Sequence, residues 1–213
     1  MAINLVKGQT IDLRKNDKGE SYDLSTVTIG LGWDVRQKKT SFLGGLLGGG
    51  KEEEYDLDAI AFLLDGNDKV VNKGNEKLAG GDVIFFNSLK HSSGHIWLTG
   101  DNRTGAGDGD DEQIIVKLDS LESKYQKILF VVAIYQGKQK NQHFGMVENA
   151  FIRAVDKSGK EIVKFSLSGD ATYNSMCSMV FAEVYRKDGT WKFRAIGDPY
   201  QYDSFIEILK KYQ

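Results

Sequence analysis

The sequence predicts an all-β fold, a two-sheet β-sandwich with one short helix at its C-terminus. Ten short stretches rich in β-branched and aromatic residues are separated by turn residues. The 213 residues include 24 glycines but a single proline, Pro199, a balance that suits a protein with many tight turns. Because 40% of the residues are hydrophobic and no Pro- or Ser-rich linker divides the chain, we expect one domain over residues 1–213.

The predicted strands are recognised by apolar runs or by alternation with a period of two. Residues 128–135 are apolar on both faces, as expected of a central strand. In residues 190–196, Trp191 and Phe193 share one face while Lys192 and Arg194 share the other, and Asp188-Gly189 supplies the preceding hairpin turn. The remaining predicted strands are 26–35, 59–64, 82–86, 95–99, 114–118, 151–155, 161–167 and 176–186.

Two further segments complete the predicted architecture. Residues 203–212 alone show helical spacing, with Phe205, Ile206 and Leu209 on one side. A Gly/Leu-rich insertion at residues 40–51 contains SFLGGLLGGG and lies between two predicted strands. Two interpretations of it stay open: a hairpin loop whose apolar side chains fold back on the sheet, or a finger that docks to a partner or a membrane.

Charge and cysteine content exclude several classes of function. The formal net charge is −2, so no overall basic field exists to hold nucleic acid. A single Cys cannot form an internal disulfide, and residues 1–13 lack the apolar core of a signal peptide, so we expect a cytoplasmic protein. The longest apolar run has eight residues, whereas a transmembrane helix needs about 20.

Carboxylates are concentrated in residues 101–112, which read DNRTGAGDGDDE. This segment holds five acidic side chains and one Arg, a local charge of −4, so the other 201 residues sum to +2. Carboxylates packed this densely repel one another unless a counter-charge is present. Oxygen ligands favour Ca²⁺ or Mg²⁺, and the irregular, glycine-rich segment suits Ca²⁺ better. A metal site and a plain acidic loop are both consistent with the segment alone.

An EF-hand does not explain this segment, because Arg103 and Gly105 occupy positions where that loop requires oxygen side chains. Ligands must therefore come from other parts of the chain as well. Asp56 and Asp58 are spaced i, i+2 on a predicted strand, which directs both carboxylates to one face. Asn87 follows the predicted strand at 82–86 and offers an amide oxygen. A solvated sheet face is the alternative interpretation of Asp56 and Asp58.

Several segments resemble the TerD-type family of tellurium-resistance and general stress proteins. They are YDLDAIAFLLD, DVIFFN, GDNRTGAGDGDDE, NQHFGMVENAFIRAVD and FAEVYRKDGTWKFRAIGDPY, and together they cover nearly the whole chain. The resemblance implies a β-sandwich that binds two Ca²⁺ ions at one end, in a bacterial cytoplasmic protein linked to tellurite and stress resistance. It implies no enzymatic reaction.

The family's metal-binding motif falls on a defined set of positions in this chain. Thr104 and the glycines are expected to contribute backbone oxygens. The implied ligands are Asp56, Asp58, Asn87, Asp101, Asn102, Thr104, Asp108, Asp110, Asp111 and Glu112, with Asp34 as a further candidate. The sequence departs from the family pattern at the Gly/Leu-rich insertion and at HSSGH.

For two other candidate sites, a histidine pair and the single cysteine, we favour a structural role over a chemical one. His91 and His95 have the H-x3-H spacing of a zinc site on a helix, but Ser92-Ser93-Gly94 between them predicts a hairpin turn. Cys177 lies in an apolar strand candidate, where a buried and inert thiol is expected rather than a nucleophile.

The expected function is that of a calcium-dependent, non-enzymatic sensor or scaffold in a stress response. Expected partners are Ca²⁺ and other stress or tellurium-resistance proteins, with the inner face of a membrane as a further place of action. The alternative is a metal-dependent hydrolase of phosphate esters, in which two cations activate water and Arg103, Arg153 or Arg194 assists with the phosphate.

Overall fold

Twelve strands form two six-stranded sheets in the computed structural model, which describes residues 2–15, 18–35, 55–99, 109–167 and 171–213. The order in the first sheet is β1 (Ile3–Leu5), β10 (Glu161–Ser166), β9 (Val147–Val155), β3 (Val27–Val35), β7 (Glu112–Val116) and β6 (Ile96–Leu98). The order in the second is β2 (Thr10–Asp12), β12 (Thr190–Tyr200), β11 (Ser178–Lys187), β8 (Lys127–Ile134), β4 (Leu57–Leu64) and β5 (Val83–Ile84). The predicted β-sandwich is confirmed.

Period-two alternation builds the interior of the sandwich. Along β3, Ile29, Leu31 and Trp33 are buried in the core, while Gly30 and Gly32 face outward. All neighbouring strands pair antiparallel except β1 and β10, which run parallel. The main core draws buried residues from both sheets, so the two inner faces form one hydrophobic interior.

The C-terminal helix α1 (Phe205–Leu209) covers the outer face of the second sheet. Ser204 caps it by accepting a hydrogen bond from the N–H of Ile206 at 3.2 Å, and a 3₁₀ turn at Lys210–Tyr212 follows. Phe205 packs against Phe62 and Phe85, with ring centroids 6.2 and 5.2 Å apart. This second layer explains why β4 and β8 are apolar on both faces.

Strand boundaries differ from the predictions where local pairing decides them. The strand predicted at 82–86 is shortened to β5, because the chain turns tightly between Phe85 and Ser88. β12 continues through Pro199 to Tyr200, whereas the prediction ended at 196. Strands β1 and β2 are not predicted from the sequence, since three residues are too few for a periodic pattern.

The predicted hairpin turn at Asp188-Gly189 is confirmed. Asp188 and Gly189 both have left-handed backbone, with φ of 53° and 71°. The side chain of Asp65 accepts the N–H of Asn67 at 2.7 Å, which closes the turn after β4. In the ranges that the structure describes, no helix is long and apolar enough to cross a membrane.

Candidate metal-binding end of the sandwich

Three strands that carry predicted ligands meet at one end of the sandwich. β3 finishes at Val35, β4 begins at Leu57 and β7 begins at Glu112. The residues that connect them, 36–54 and 100–108, lie outside the described residues. The roles expected of Asp101, Asn102, Arg103, Thr104 and Asp108, and the two interpretations of the Gly/Leu-rich insertion at 40–51, therefore remain predictions.

Glu112 joins the two sheets at this end. It pairs in register with Leu31 in the first sheet, and its side chain points into the sandwich, where it is buried. Its Oε2 accepts a hydrogen bond from the backbone N–H of Ala59, the third residue of β4 in the second sheet. A charge-assisted bond of this kind fixes the position of the carboxylate.

Asp111 is held beside β3 by two hydrogen bonds. Its N–H donates to the carbonyl of Leu31 at 2.7 Å, and its Oδ2 accepts the N–H of Trp33 at 2.8 Å. Burial raises the pKa of the Asp111 carboxyl, and the charges of Asp34 and Asp110 raise it further against the lowering effect of the Trp33 N–H. The ionised form of Asp111 is thus disfavoured unless a counter-charge is supplied.

Three other predicted ligands lie at the same end. Asp34 faces outward from β3 and accepts a hydrogen bond from the Asn149 amide at 2.7 Å. Asp56 immediately precedes β4, and Asp58 lies within it; both are half-buried. The carbonyl of Asp56 accepts the N–H of Tyr135 at 2.8 Å, which ties the start of β4 to the end of β8.

Asn87 is exposed in the turn that follows β5, and β5 is the edge strand that pairs with β4. Because β5 runs antiparallel to β4, the turn lies toward the β4 start and its two aspartates. The structure thus brings Asp56, Asp58 and Asn87 to one end of the second sheet.

Asp110 is placed elsewhere, on the outer face of the first sheet. Its side chain is 1% exposed; Oδ1 accepts the Nε–H of Arg153 at 2.7 Å and Oδ2 accepts the Gln113 amide at 3.1 Å. Arg153 also reaches Glu161 at 2.9 Å. Both Asp110 oxygens are therefore engaged by protein donors, and its assignment as a metal ligand stays a prediction.

Gly30 provides the space that the Asp110 carboxylate occupies. A Cβ on Gly30 would lie 2.2 Å from the carboxyl carbon of Asp110, closer than any real contact. A glycine inside an alternating strand is a known sign of close approach by another part of the chain. That signal was present in the sequence, but nothing there identified Asp110 and Arg153 as the partners. We call Gly30, Asp110 and Arg153 the loop clasp.

Filling the space at Gly30 tests the loop clasp. We expect Gly30→Ala to displace Asp110 and to cost about 1.5–3 kcal/mol of unfolding free energy, the range for a hydrogen bond to a charged group. Arg153→Gln should cost a similar amount, and the double variant should cost little more than either change alone because both break one interaction. Urea denaturation measures all three.

Gly66→Ala is the matched control, since its Cβ would meet only the Gln126 side chain at an ordinary 3.8 Å. Full additivity of Gly30→Ala and Arg153→Gln would contradict the clasp.

The described residues at this end supply oxygen ligands suited to a hard cation, but they do not form a complete site. Asp34, Asp56, Asp58, Asp111 and Glu112 all offer carboxylate oxygens, which Ca²⁺ prefers. Within the described ranges, however, no group of three or more His, Cys, Asp or Glu side chains is arranged to hold a metal ion. Residues 101–108 would have to supply the remaining donors.

His91, the first residue of the histidine pair, belongs to a buried polar cluster with Asp82 and Tyr125. The N–H of Gly94 donates to the carbonyl of His91 at 2.9 Å, so the predicted turn is confirmed. His91 is buried, with Nε2 3.1 Å from the Asp82 carboxylate and Nδ1 2.8 Å from the Ser93 hydroxyl. Tyr125 donates its hydroxyl hydrogen to the same Asp82 oxygen at 2.8 Å. Both ring nitrogens of His91 are therefore engaged.

Three other residues were considered for a chemical role from the sequence: Cys177, Arg153 and Arg194. Cys177 is buried, and burial raises the pKa of its thiol, which agrees with the expected inert thiol. Arg194, considered as a phosphate-binding residue, pairs with Glu183 at 2.6 Å. Arg153 is held in the loop clasp. Both arginines are therefore already paired with carboxylates.

Comparison with known proteins decides the family. A family model described as the TerD domain matches residues 1–212. The chain belongs to the TerD family. It is 57% identical to tellurium resistance protein TerX of Serratia marcescens over 217 residues, covering all of both chains. It is 41% identical to stress response protein SCP2 of Bacillus subtilis, again covering all of both chains.

A solved structure shares the TerD fold. It is described as a homologue of telluride resistance protein TerD from Streptomyces coelicolor A3(2). The TM-score is 0.61 at 21% identity, with 89% of this chain and 98% of that chain covered. The family expected from the sequence motifs is confirmed. The two relatives quoted above are named as a tellurium resistance protein and a stress response protein.

Proposed function

We propose that this TerD-family chain is a calcium-binding protein that acts without catalysis, as a Ca²⁺-dependent sensor or scaffold in tellurium resistance or a related stress response. Two ions are expected. Their ligands would come from Asp56, Asp58, Asp111 and Glu112 together with residues 101–108. When bound, the ions would supply the positive charge that balances these carboxylates.

The environment of Asp111 supports the proposal most directly. Its carboxyl is half-buried, and its pKa is raised by burial and by the neighbouring charges of Asp34 and Asp110. Two hydrogen bonds nevertheless hold it in place beside β3. An acidic group that is fixed where its ionised form is disfavoured suits a position that receives a cation.

The connection of this end to both sheets supports a sensor. Glu112 is the first residue of β7, follows directly after Asp111, and is hydrogen bonded to Ala59 in the opposite sheet. The loop clasp holds the preceding residue, Asp110, on the outer face of the first sheet. In this proposal, the residues before Asp110 take part in binding calcium. The calcium-bound form of that segment would present a surface to a protein partner.

The names of the relatives support the cellular role included in this proposal. The relatives are named as resistance or stress proteins, and none of the names quoted above denotes an enzyme. The single cysteine is buried as a free thiol, which suits a reducing cytoplasm. The proposed partners are other stress or tellurium-resistance proteins, with the inner face of a membrane as a further site of action.

Calorimetric titration of CaCl₂ into the chelator-treated protein tests the proposal. We expect two ions per chain and tighter binding of Ca²⁺ than of Mg²⁺, because irregular oxygen sites accommodate calcium better. Glu112→Gln should lower the stoichiometry or the affinity, whereas Glu122→Gln, an exposed carboxylate beyond β7, should leave both unchanged. Absence of heat with either ion would refute the calcium role.

A further inference from the structure

A cleft of about 400 Å³ opens where four elements of the sandwich end or begin. It is bordered by the loop between β8 and β9, by the residues before β11 and by the residue after β12. Its volume lies within the range of small-molecule sites. None of the predicted calcium ligands in the described part of the chain lines it. Its polar lining residues are Lys138, Asn141, Gln142, His143, Ser175 and Gln201.

The polar lining of this cleft is rich in hydrogen-bond donors. Lys138 carries three donors and a positive charge, each side-chain amide carries two, and Ser175 carries one. No Asp or Glu is among the described residues that line the cleft. The nearby Asp203 carboxylate accepts the backbone N–H of Lys138 at 2.9 Å. A ligand with negative charge and several acceptor oxygens complements this lining.

His143 adds a polar atom without a protein partner. Its Nδ1 is buried and makes no hydrogen bond within the structure. Buried polar atoms in folded proteins are nearly always paired, with protein, water or ligand. A ligand or a water that reaches this nitrogen would supply the missing partner.

Backbone strain is concentrated around the same cleft. Asn141 and Ser175 line it with left-handed φ values of 54° and 64°, and Gln136, next to the lining residue Gly137, has φ of 56°. These are three of the seven non-glycine residues with positive φ in the described part of the chain. Such conformations cost free energy and are found preferentially at sites that hold ligands.

We propose that this cleft binds a small oxygen-rich anion, a phosphate- or carboxylate-bearing metabolite, through Lys138, His143 and the surrounding amide groups. The cleft lies next to the calcium-binding end, because β8 ends beside the start of β4 and the lining residue Met146 contacts the Tyr55 hydroxyl. Its described lining residues are not proposed calcium ligands, and the binding proposed here does not require calcium. It therefore gives the protein a second input, a small molecule, beyond the ion response proposed above.

The test measures binding of inorganic phosphate and of citrate to the chelator-treated protein by calorimetry, with glucose as the uncharged comparison. We expect at least one anion to bind saturably and more tightly than glucose.

Lys138→Met should raise the dissociation constant about tenfold, which corresponds to about 1.4 kcal/mol. The matched control is Lys140→Met on the same loop, whose ammonium lies over the Tyr135 ring and does not line the cleft. It should change the dissociation constant less than about twofold, the scatter usual for surface substitutions. His143→Gln separates a specific imidazole contact from general attraction by charge, and should also weaken binding.

Three results would overturn the proposal: no saturable binding of either anion, equal weakening by both lysine changes, or glucose binding as tightly as the anions. Calcium titration of Lys138→Met is expected to match that of the unchanged protein. The two proposals therefore fail or succeed separately.

Discussion

Replacing Asp111 with Asn is expected to make the chelator-treated protein slightly more stable and to remove most of its stabilisation by calcium. The first effect follows because burial and the charges of Asp34 and Asp110 disfavour the ionised carboxyl, whose pKa is raised. An amide oxygen can still accept the Trp33 N–H, so the local fold is kept. The second effect follows because the amide has lost the charge that a cation requires.

The size of the calcium effect can be estimated from linkage. At a free ion concentration 100 times the dissociation constant, a single bound ion adds about 2.7 kcal/mol to the unfolding free energy. In a chain of this length that corresponds to an increase of about 5–10 °C in melting temperature. Thermal unfolding with chelator and with CaCl₂ measures both effects for the unchanged protein and for Asp111→Asn.

Asp119→Asn is the control for this comparison. Asp119 is exposed in the 3₁₀ turn beyond the far end of β7, so its substitution should alter neither condition. An undiminished calcium shift in Asp111→Asn would remove this residue from the proposed ligands.

The second large effect is expected at the buried cluster of Asp82, His91 and Tyr125. Asp82→Asn should cost about 3–5 kcal/mol, the range for removing one partner of a buried pair. The other Asp82 oxygen accepts the N–H of Asn72 at 2.8 Å, so an amide cannot satisfy all the donors that face it. Tyr125→Phe removes one hydrogen bond and should cost only about 1 kcal/mol.

The same cluster gives a pH dependence of defined sign. Burial alone would raise the pKa of Asp82, but the hydrogen bonds from His91, Asn72 and Tyr125 outweigh it and lower that pKa below 3.8. The stabilisation by Asp82 is therefore present above the unfolded-state pKa and is lost as the pH falls through the folded-state value.

Urea denaturation of the unchanged protein and of Asp82→Asn should accordingly differ most at neutral pH and converge in acid. Asp188→Asn serves as the control, because Asn also tolerates the left-handed backbone of that turn. A difference that grows on acidification would show that Asp82 does not act as an ionised acceptor.

Local patterns made most of the fold predictable. Alternation along β12 and the uniform hydrophobicity of β8 reflect how many faces of each strand are covered, and this leaves a direct trace in the sequence. The turn at Asp188-Gly189 and the one at Asp65 depend on residues adjacent in the chain. The short strands β1 and β2 could not be predicted, because their pairing partners β10 and β12 lie more than 150 residues away.

The candidate site was predictable in composition but not in arrangement. Asp110 and Asp111 are adjacent acidic residues that the sequence treated as equivalent ligands. The structure turns Asp110 onto the outer face of the first sheet, toward Arg153, and holds Asp111 against the N–H of Trp33. The glycine that permits this, Gly30, lies 80 positions earlier in the chain.

The sequence by itself determined an all-β sandwich with an unusually acidic segment, because strand periodicity, turn chemistry and charge density are properties of neighbouring residues. Its motifs, by their resemblance, pointed to the TerD family. Tertiary structure alone decided which protein donor each of these carboxylates meets. That distinction depends on Arg153, Ala59 and Trp33, whose donors reach the acidic segment only after the two sheets have packed.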